Sequence, residues 1–122
     1  MEPTRLEVRV RTHGEMAVVD LLGEIDAAAD DALDRAYAEA AETSAGAILL
    51  NFAGVEYINS TGIALIVGML AKARRDGLRI LSAGLSDHYR EIFEITRLAD
   101  FMELHPDEET AVALARTAEA GR

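Results

Sequence analysis

One short, almost unbroken apolar run, Ala47-Ile48-Leu49-Leu50-Asn51-Phe52, constrains this chain more than any other feature. A half-buried strand alternates apolar and polar residues. A run that is apolar at successive positions is expected of a strand covered on both faces. Such a strand needs a sheet around it, and the remaining patterns supply one. Leu78 to Ala83 is a second apolar strand. Leu6, Val8 and Val10 alternate with Glu7, Arg9 and Arg11, the period-two mark of a strand with one buried face. After the turn Thr12-His13-Gly14-Glu15, Met16 to Leu22 reads as its antiparallel partner, ending at Gly23. Phe101 to Leu104 is a short fifth strand.

Helical patterns separate these strands. Asp26 is placed to cap a first helix in which Ala29, Leu33, Tyr37 and Ala40 recur at helical spacing. A loop over Ala53 to Asn59 leads to a second helix from about Ser60, with the stripe Ile63, Leu65, Ile66, Met69, Leu70 and Ala73. Lys72, Arg74 and Arg75 followed by Gly77 are its stop signals. Ser86 to Glu91 opens a third helix carried on by Ile92, Phe93 and Ile95. Pro106-Asp107-Glu108-Glu109 starts a fourth, continued by Ala111, Val112, Leu114 and Ala115. The order β-β-α-β-α-β-α-β-α predicts an α/β fold: a mixed five-stranded sheet, parallel through right-handed crossovers except at the opening hairpin. The 122 residues suit a single domain over 1–122, with 118–122 expected as a disordered tail.

Charge and composition remove several function classes. The net charge of −10 argues against a nucleic-acid surface and against docking on anionic lipid. Without cysteine there are no disulfides, thiolate chemistry or zinc–sulfur sites. The first residues carry no apolar signal-peptide core, which sets a cytoplasmic expectation. His13, His88 and His105 fall on a turn, a helix start and a strand end, with no helical pair to bind a metal. Gly54, Gly62 and Gly68 do not form a dinucleotide-binding turn. No cofactor and no metal are expected.

Asn59-Ser60-Thr61-Gly62 is the segment that carries chemistry. Helix N-termini expose unpaired N–H groups and the positive dipole end, where a phosphate is well accommodated. Asn, Ser and Thr at a helix start are ordinarily caps and nothing more. Gly62 costs the helix about 1 kcal/mol against alanine, and close approach by a partner is one compensation.

The surroundings point further. The stretch Val55-Glu56-Tyr57-Ile58-Asn59-Ser60-Thr61-Gly62-Ile63 resembles the phosphorylation loop of STAS-domain anti-sigma factor antagonists. The strand entry Gly23-Glu24-Ile25-Asp26, the strand Leu78 to Ala83 with Gly84-Leu85, and the helix Ile92 to Leu98 resemble the same family. The element order is the family's order. The resemblance implies a non-enzymatic partner-switching protein of bacterial transcription regulation. Its partner would be an anti-sigma factor, itself a serine kinase of the histidine-kinase-like fold. That kinase would release the protein by phosphorylating Ser60, and a serine phosphatase would restore binding. Thr61 ranks below Ser60 as acceptor. The binding surface implied is Tyr57, Ile58, Asn59, Ser60, Thr61 and Gly62 with Gly68 on the following helix, on a protein that is a monomer when free. Of Tyr57 and Ile58, one should pack under the loop and the other face a partner. Many family members carry Asp where this chain has Asn59. Asn caps as well as Asp but brings no charge to a kinase.

Two rival readings stand beside this one. The first is a constitutive STAS scaffold in which Ser60 is only a cap. The second is a serine hydrolase, which lacks the Gly-x-Ser-x-Gly elbow and requires a base such as His88 to reach Ser60.

Overall fold

The computed structural model describes residues 5–43 and 46–120, with side-chain surroundings as far as residue 115. The strands are β1 (Leu6–His13), β2 (Met16–Ile25), β3 (Ala47–Ile58), β4 (Arg79–Ala83) and β5 (Glu103–His105). The helices are α1 (Asp30–Thr43), α2 (Ser60–Asp76), α3 (Asp87–Ile95) and α4 (Glu108–Ala120), with 3-10 turns at Ala27–Ala29 and Leu98–Asp100. The strands lie side by side in the order β1-β2-β3-β4-β5. The β1–β2 pair is antiparallel and every other pair is parallel, as the sequence pattern predicts.

The two faces of the sheet are covered unequally. On one, Val19, Leu21, Ile48, Leu50 and Phe52 meet Leu33 and Tyr37 of α1, Ile66 and Leu70 of α2, and Phe93 of α3. Phe52 and Phe93 pack edge to face, their ring centroids 5.8 Å apart. On the other face Val18, Leu49 and Leu81 meet Ala111, Val112 and Ala115 of α4 alone. Central strand β3 therefore buries consecutive residues on opposite sides, which is why its first half reads as an unbroken apolar run.

Several boundaries differ from the sequence reading: β1 runs to His13 and β2 to Ile25, where a turn from Thr12 and an end at Gly23 were expected. The segment expected as a loop from Ala53 is strand as far as Ile58. Parallel pairing runs on through Leu22↔Gly54, Gly23↔Val55, Glu24↔Tyr57 and Ile25↔Ile58, with register shifts between Asp20 and Leu22 and between Gly23 and Glu24. Those irregularities break the period-two pattern that marks a strand. Gly54 belongs there for a packing reason, since a Cβ on it would stand 2.6 Å from Leu22 Cδ2. The third helix stops at Ile95, short of the Leu98 expected from the sequence, and leaves that side chain 72% exposed. The chain then turns through Arg97 at φ 69°, a left-handed conformation that costs a non-glycine residue roughly 1 kcal/mol. Finally, β5 begins at Glu103, and Phe101 ahead of it is 55% exposed. The tail expected at 118–122 meets helix as far as Ala120, and residues 121–122 lie outside the described residues.

A polar clasp fixes α4 to the sheet. Arg11 Nε donates to Asp20 Oδ2 at 2.7 Å and Arg11 Nη1 donates to Glu108 Oε2 at 2.9 Å. His13 Nδ1 lies 2.6 Å from the same Glu108 oxygen, and Asn51 Nδ2 donates to Asp20 Oδ1 at 2.9 Å. The Arg11 guanidinium holds the Glu108 carboxyl down at about 2 and lowers Asp20 as well. A carboxylate depressed in the folded state stabilises above its unfolded pKa, and that stabilisation is lost as pH falls through the folded value. Glu108→Gln should therefore lower Tm by about 4 °C near neutrality, roughly 1 kcal/mol for a partly exposed network. The gap to wild type should close as the pH is taken from about 4.5 down to about 2. Thermal melts followed by circular dichroism across that window check both the size and the sign.

Candidate functional site

The site is built where three segments meet at the C-terminal end of the parallel strands. Asn59, extended at φ −94° and ψ −178°, caps α2, and its Oδ1 accepts from the Gly62 N–H at 2.8 Å. That satisfies one of the orphan donors of the first turn. The Asn59 backbone N–H donates to the Ile25 carbonyl at 3.2 Å, tying the helix start to the end of β2. Gly62 is buried against that carbonyl, and any Cβ at this position would collide with the Ile25 oxygen. The glycine is thus required by the chain's own backbone. This replaces the expectation that a partner's approach explains it.

The third segment is α3. Its N-cap Ser86 accepts from the Tyr89 N–H at 3.2 Å, and the Tyr89 hydroxyl accepts from the Ile58 N–H at 2.9 Å. Asp26, at the end of β2, caps the 3-10 turn through the Ala28 N–H at 3.0 Å. The sequence reading gave Asp26 a capping role and placed Ile25 in the strand entry, but assigned neither of them, nor Tyr89, to the site. Only the pairing Ile25↔Ile58 brings the first two there, and no local pattern encodes it.

The residues expected to form the binding surface divide into two groups. Ser60 and Thr61 are exposed at the first turn of α2, and Tyr57 is 49% exposed beside them. Ile58 is 4% exposed and belongs to the core, so the member of the pair under the loop is Ile58. Its side chain has no surface to offer, and neither has Gly62. Gly68 is exposed on α2, and a Cβ built on it meets nothing within 4 Å. No demand of the fold explains a glycine there.

Within α2 itself nothing opposes an anion at Ser60. The first turn of this 17-residue helix contains no acid, so its positive end is not already neutralised from within. Enzymatic chemistry fares worse. The Ser60 hydroxyl has no side-chain hydrogen-bond partner among the described residues, so no base stands ready to activate it. His88 packs edge to face on Tyr89 at 4.9 Å, His13 pairs with Glu108, and His105 lies 3.5 Å from Glu103. Among the described residues no group of three potential ligands gathers to hold a metal, and no helix is long and apolar enough to cross a membrane.

The fold is thus a mixed five-stranded sheet with an exposed serine at the start of α2. The family model described as Mlab, STAS domain matches residues 8–106, and the chain belongs to the STAS domain family. It is 30% identical over 107 residues to the anti-sigma-B factor antagonist of Staphylococcus aureus, covering 88% of this chain and 97% of that protein. An anti-sigma factor antagonist from Mycobacterium paratuberculosis superposes with a TM-score of 0.73 at 24% identity, covering 91% of this chain and 94% of that one. The Bacillus cell fate determinant SpoIIAA in its phosphorylated form gives 0.66 at 21% identity, covering 88% and 99%. The curated relatives are named as anti-sigma-B factor antagonists.

The two glycines of α2 separate fold from surface. Gly62→Ala should destabilise by roughly 2 kcal/mol, because the clash with a backbone carbonyl outweighs the gain in helix propensity. Gly68→Ala should stabilise by about 0.5–1 kcal/mol, because the added methyl has open space and stiffens the unfolded chain. Urea denaturation of both variants beside wild type reads the opposite signs directly.

Proposed function

We propose that this chain is an anti-sigma factor antagonist whose hold on its partner is switched by phosphorylation of Ser60. The observation that carries the reading is the exposed Ser60 hydroxyl on an acid-free helix N-terminus that is fastened to β2 and α3 by the chain itself. A phosphate there adds about −1.5 to −2 charges and strong acceptors, and the helix end tolerates them without local unfolding. Placed inside an interface, the same charge opposes docking. The partner surface is the exposed rim Tyr57, Ser60 and Thr61, continued along α2 by Gly68, where the absent side chain allows close backbone approach. The partner is an anti-sigma factor acting as serine kinase, a serine phosphatase reverses the switch, and the protein works in the cytoplasm as a monomer within its single domain.

Asn59 favours a second reading, the constitutive scaffold. It caps α2 fully through Gly62 without offering the carboxylate that a kinase of this kind commonly meets. Phosphosite mapping by mass spectrometry on protein from its own cells, beside Ser60→Ala, separates the two. The switch predicts phosphate on Ser60 that the variant lacks. It also predicts that Ser60→Asp binds the anti-sigma partner at least tenfold more weakly while keeping its Tm within about 2 °C. Unmodified protein across growth and stress conditions, with Ser60→Asp binding as wild type does, would establish the scaffold instead.

A further inference from the structure

The far end of α2 carries a feature that phospho-switching leaves unused. An open groove of about 850 Å³ lies between the C-terminal half of α2, strand β4 and the segment Thr96–Glu103. Its floor includes Leu70, Ile80, Leu98 and Met102, all buried members of the core. Val67 and Phe101 stand on its lips, 46% and 55% exposed. Large apolar side chains left in water on both sides of an apolar trough are unexplained by the fold.

The charges around the groove are distributed selectively. Arg79 is neutralised by Glu103, its Nε donating at 3.1 Å, and Arg97 by Asp100, its Nε donating at 2.8 Å. Arg74 is different. Its guanidinium sits 5.9 Å over the Phe101 ring, and among the described residues no carboxylate lies within ion-pair reach of it. In a chain of net charge −10, the groove thus opens beside a cation without a counter-ion, held in place by the aromatic lip. An apolar floor and one preorganised guanidinium at the mouth complement an amphiphile with a single anionic head. The overall negative charge repels an anionic bilayer, which selects a free molecule over a membrane surface.

We propose that this groove binds an unbranched carboxylic acid of medium chain length, with the alkyl chain on the core floor and the carboxylate on Arg74. The volume lies within the range of small-molecule sites. The carboxylate gains a charge-assisted contact with a guanidinium whose orientation is already set. This reading is independent of the Ser60 switch.

Titration of the full chain with sodium decanoate, below its micelle concentration, tests it by amide chemical shifts and calorimetry. Decan-1-ol and octanoate serve as comparison ligands. Saturable decanoate binding is expected, with shifts confined to residues 67–74, 78–80 and 96–103. Decan-1-ol should bind roughly tenfold more weakly, and octanoate should lose roughly as much with its two missing methylenes. Arg74→Gln should bring decanoate to the level of the alcohol and leave the alcohol unchanged. Ala71→Phe, which fills the groove from an exposed position, should abolish both. No saturation, shifts centred elsewhere, or an undiminished carboxylate preference in Arg74→Gln would each overturn the proposal. A groove silent to decanoate, in which Arg74→Gln instead weakens an anti-sigma partner, would overturn it in favour of a protein contact.

Discussion

The carbonyl oxygen of Ile25 is the point on which the site depends. It accepts the Asn59 N–H and lies against Gly62, so one backbone group fixes both the exit of β3 and the first turn of α2. Neither contact exists unless β2 and β3 remain paired beyond their regular stretch. The register shifts on either side of Leu22 and Gly23 are what allow this, letting Ile25 arrive opposite Ile58. A bulge that re-aims a strand end is a recurrent device beside functional sites. Here it converts a flexible-looking glycine and asparagine segment into strand. Tyr89 then closes the arrangement from α3 by accepting the Ile58 N–H.

The same dependence explains what sequence could and could not reveal. The central strand, the opening hairpin and all four helices were legible because each has its own period, and Asp26, Asn59 and Ser86 sit where local chemistry demands caps. Ser60 was legible as a helix start. The extension of β3 was not, because bulges destroy periodicity and Gly54 is there for Leu22, a residue remote in sequence. For the same reason Gly62 suggested a partner when the close neighbour is the chain's own backbone. The third helix looked longer because Ile92, Ile95 and Leu98 continue an apolar pattern, but it ends at Ile95 and Arg97 carries the chain away. Local pattern specifies element type, whereas these positions are decided by contacts between elements.

The unequal covering of the sheet has an electrostatic consequence. Three helices bury one face with apolar side chains, and α4 alone attends to the other. A single helix with a few apolar contacts is a weak lid. The Arg11, Asp20, Glu108 and His13 clasp supplements it at the first turn of α4, where an acid also suits the helix dipole. The clasp lies at the β1–β2 hairpin turn, while Ser60 lies at the opposite end of β2 and β3. The acid-sensitive clasp and the proposed phosphorylation site therefore lie at opposite ends of the strands.

A switch that works by adding charge needs a scaffold that does not move when the charge arrives. Were the start of α2 loosely held, a phosphate on Ser60 could be absorbed by fraying the first turn, and the surface seen by a partner would change little. The Ile25 and Tyr89 contacts make that relaxation costly, because it would break the hydrogen bonds of the Asn59 and Ile58 N–H groups. The added charge then has to be accommodated on the outside, against the partner. Rigidity at Gly62 and openness at Gly68 are thus complementary requirements of one helix. In the proposed switch the first would keep a phosphate on Ser60 in place, and the second would leave the face beyond it low enough for a partner to come close.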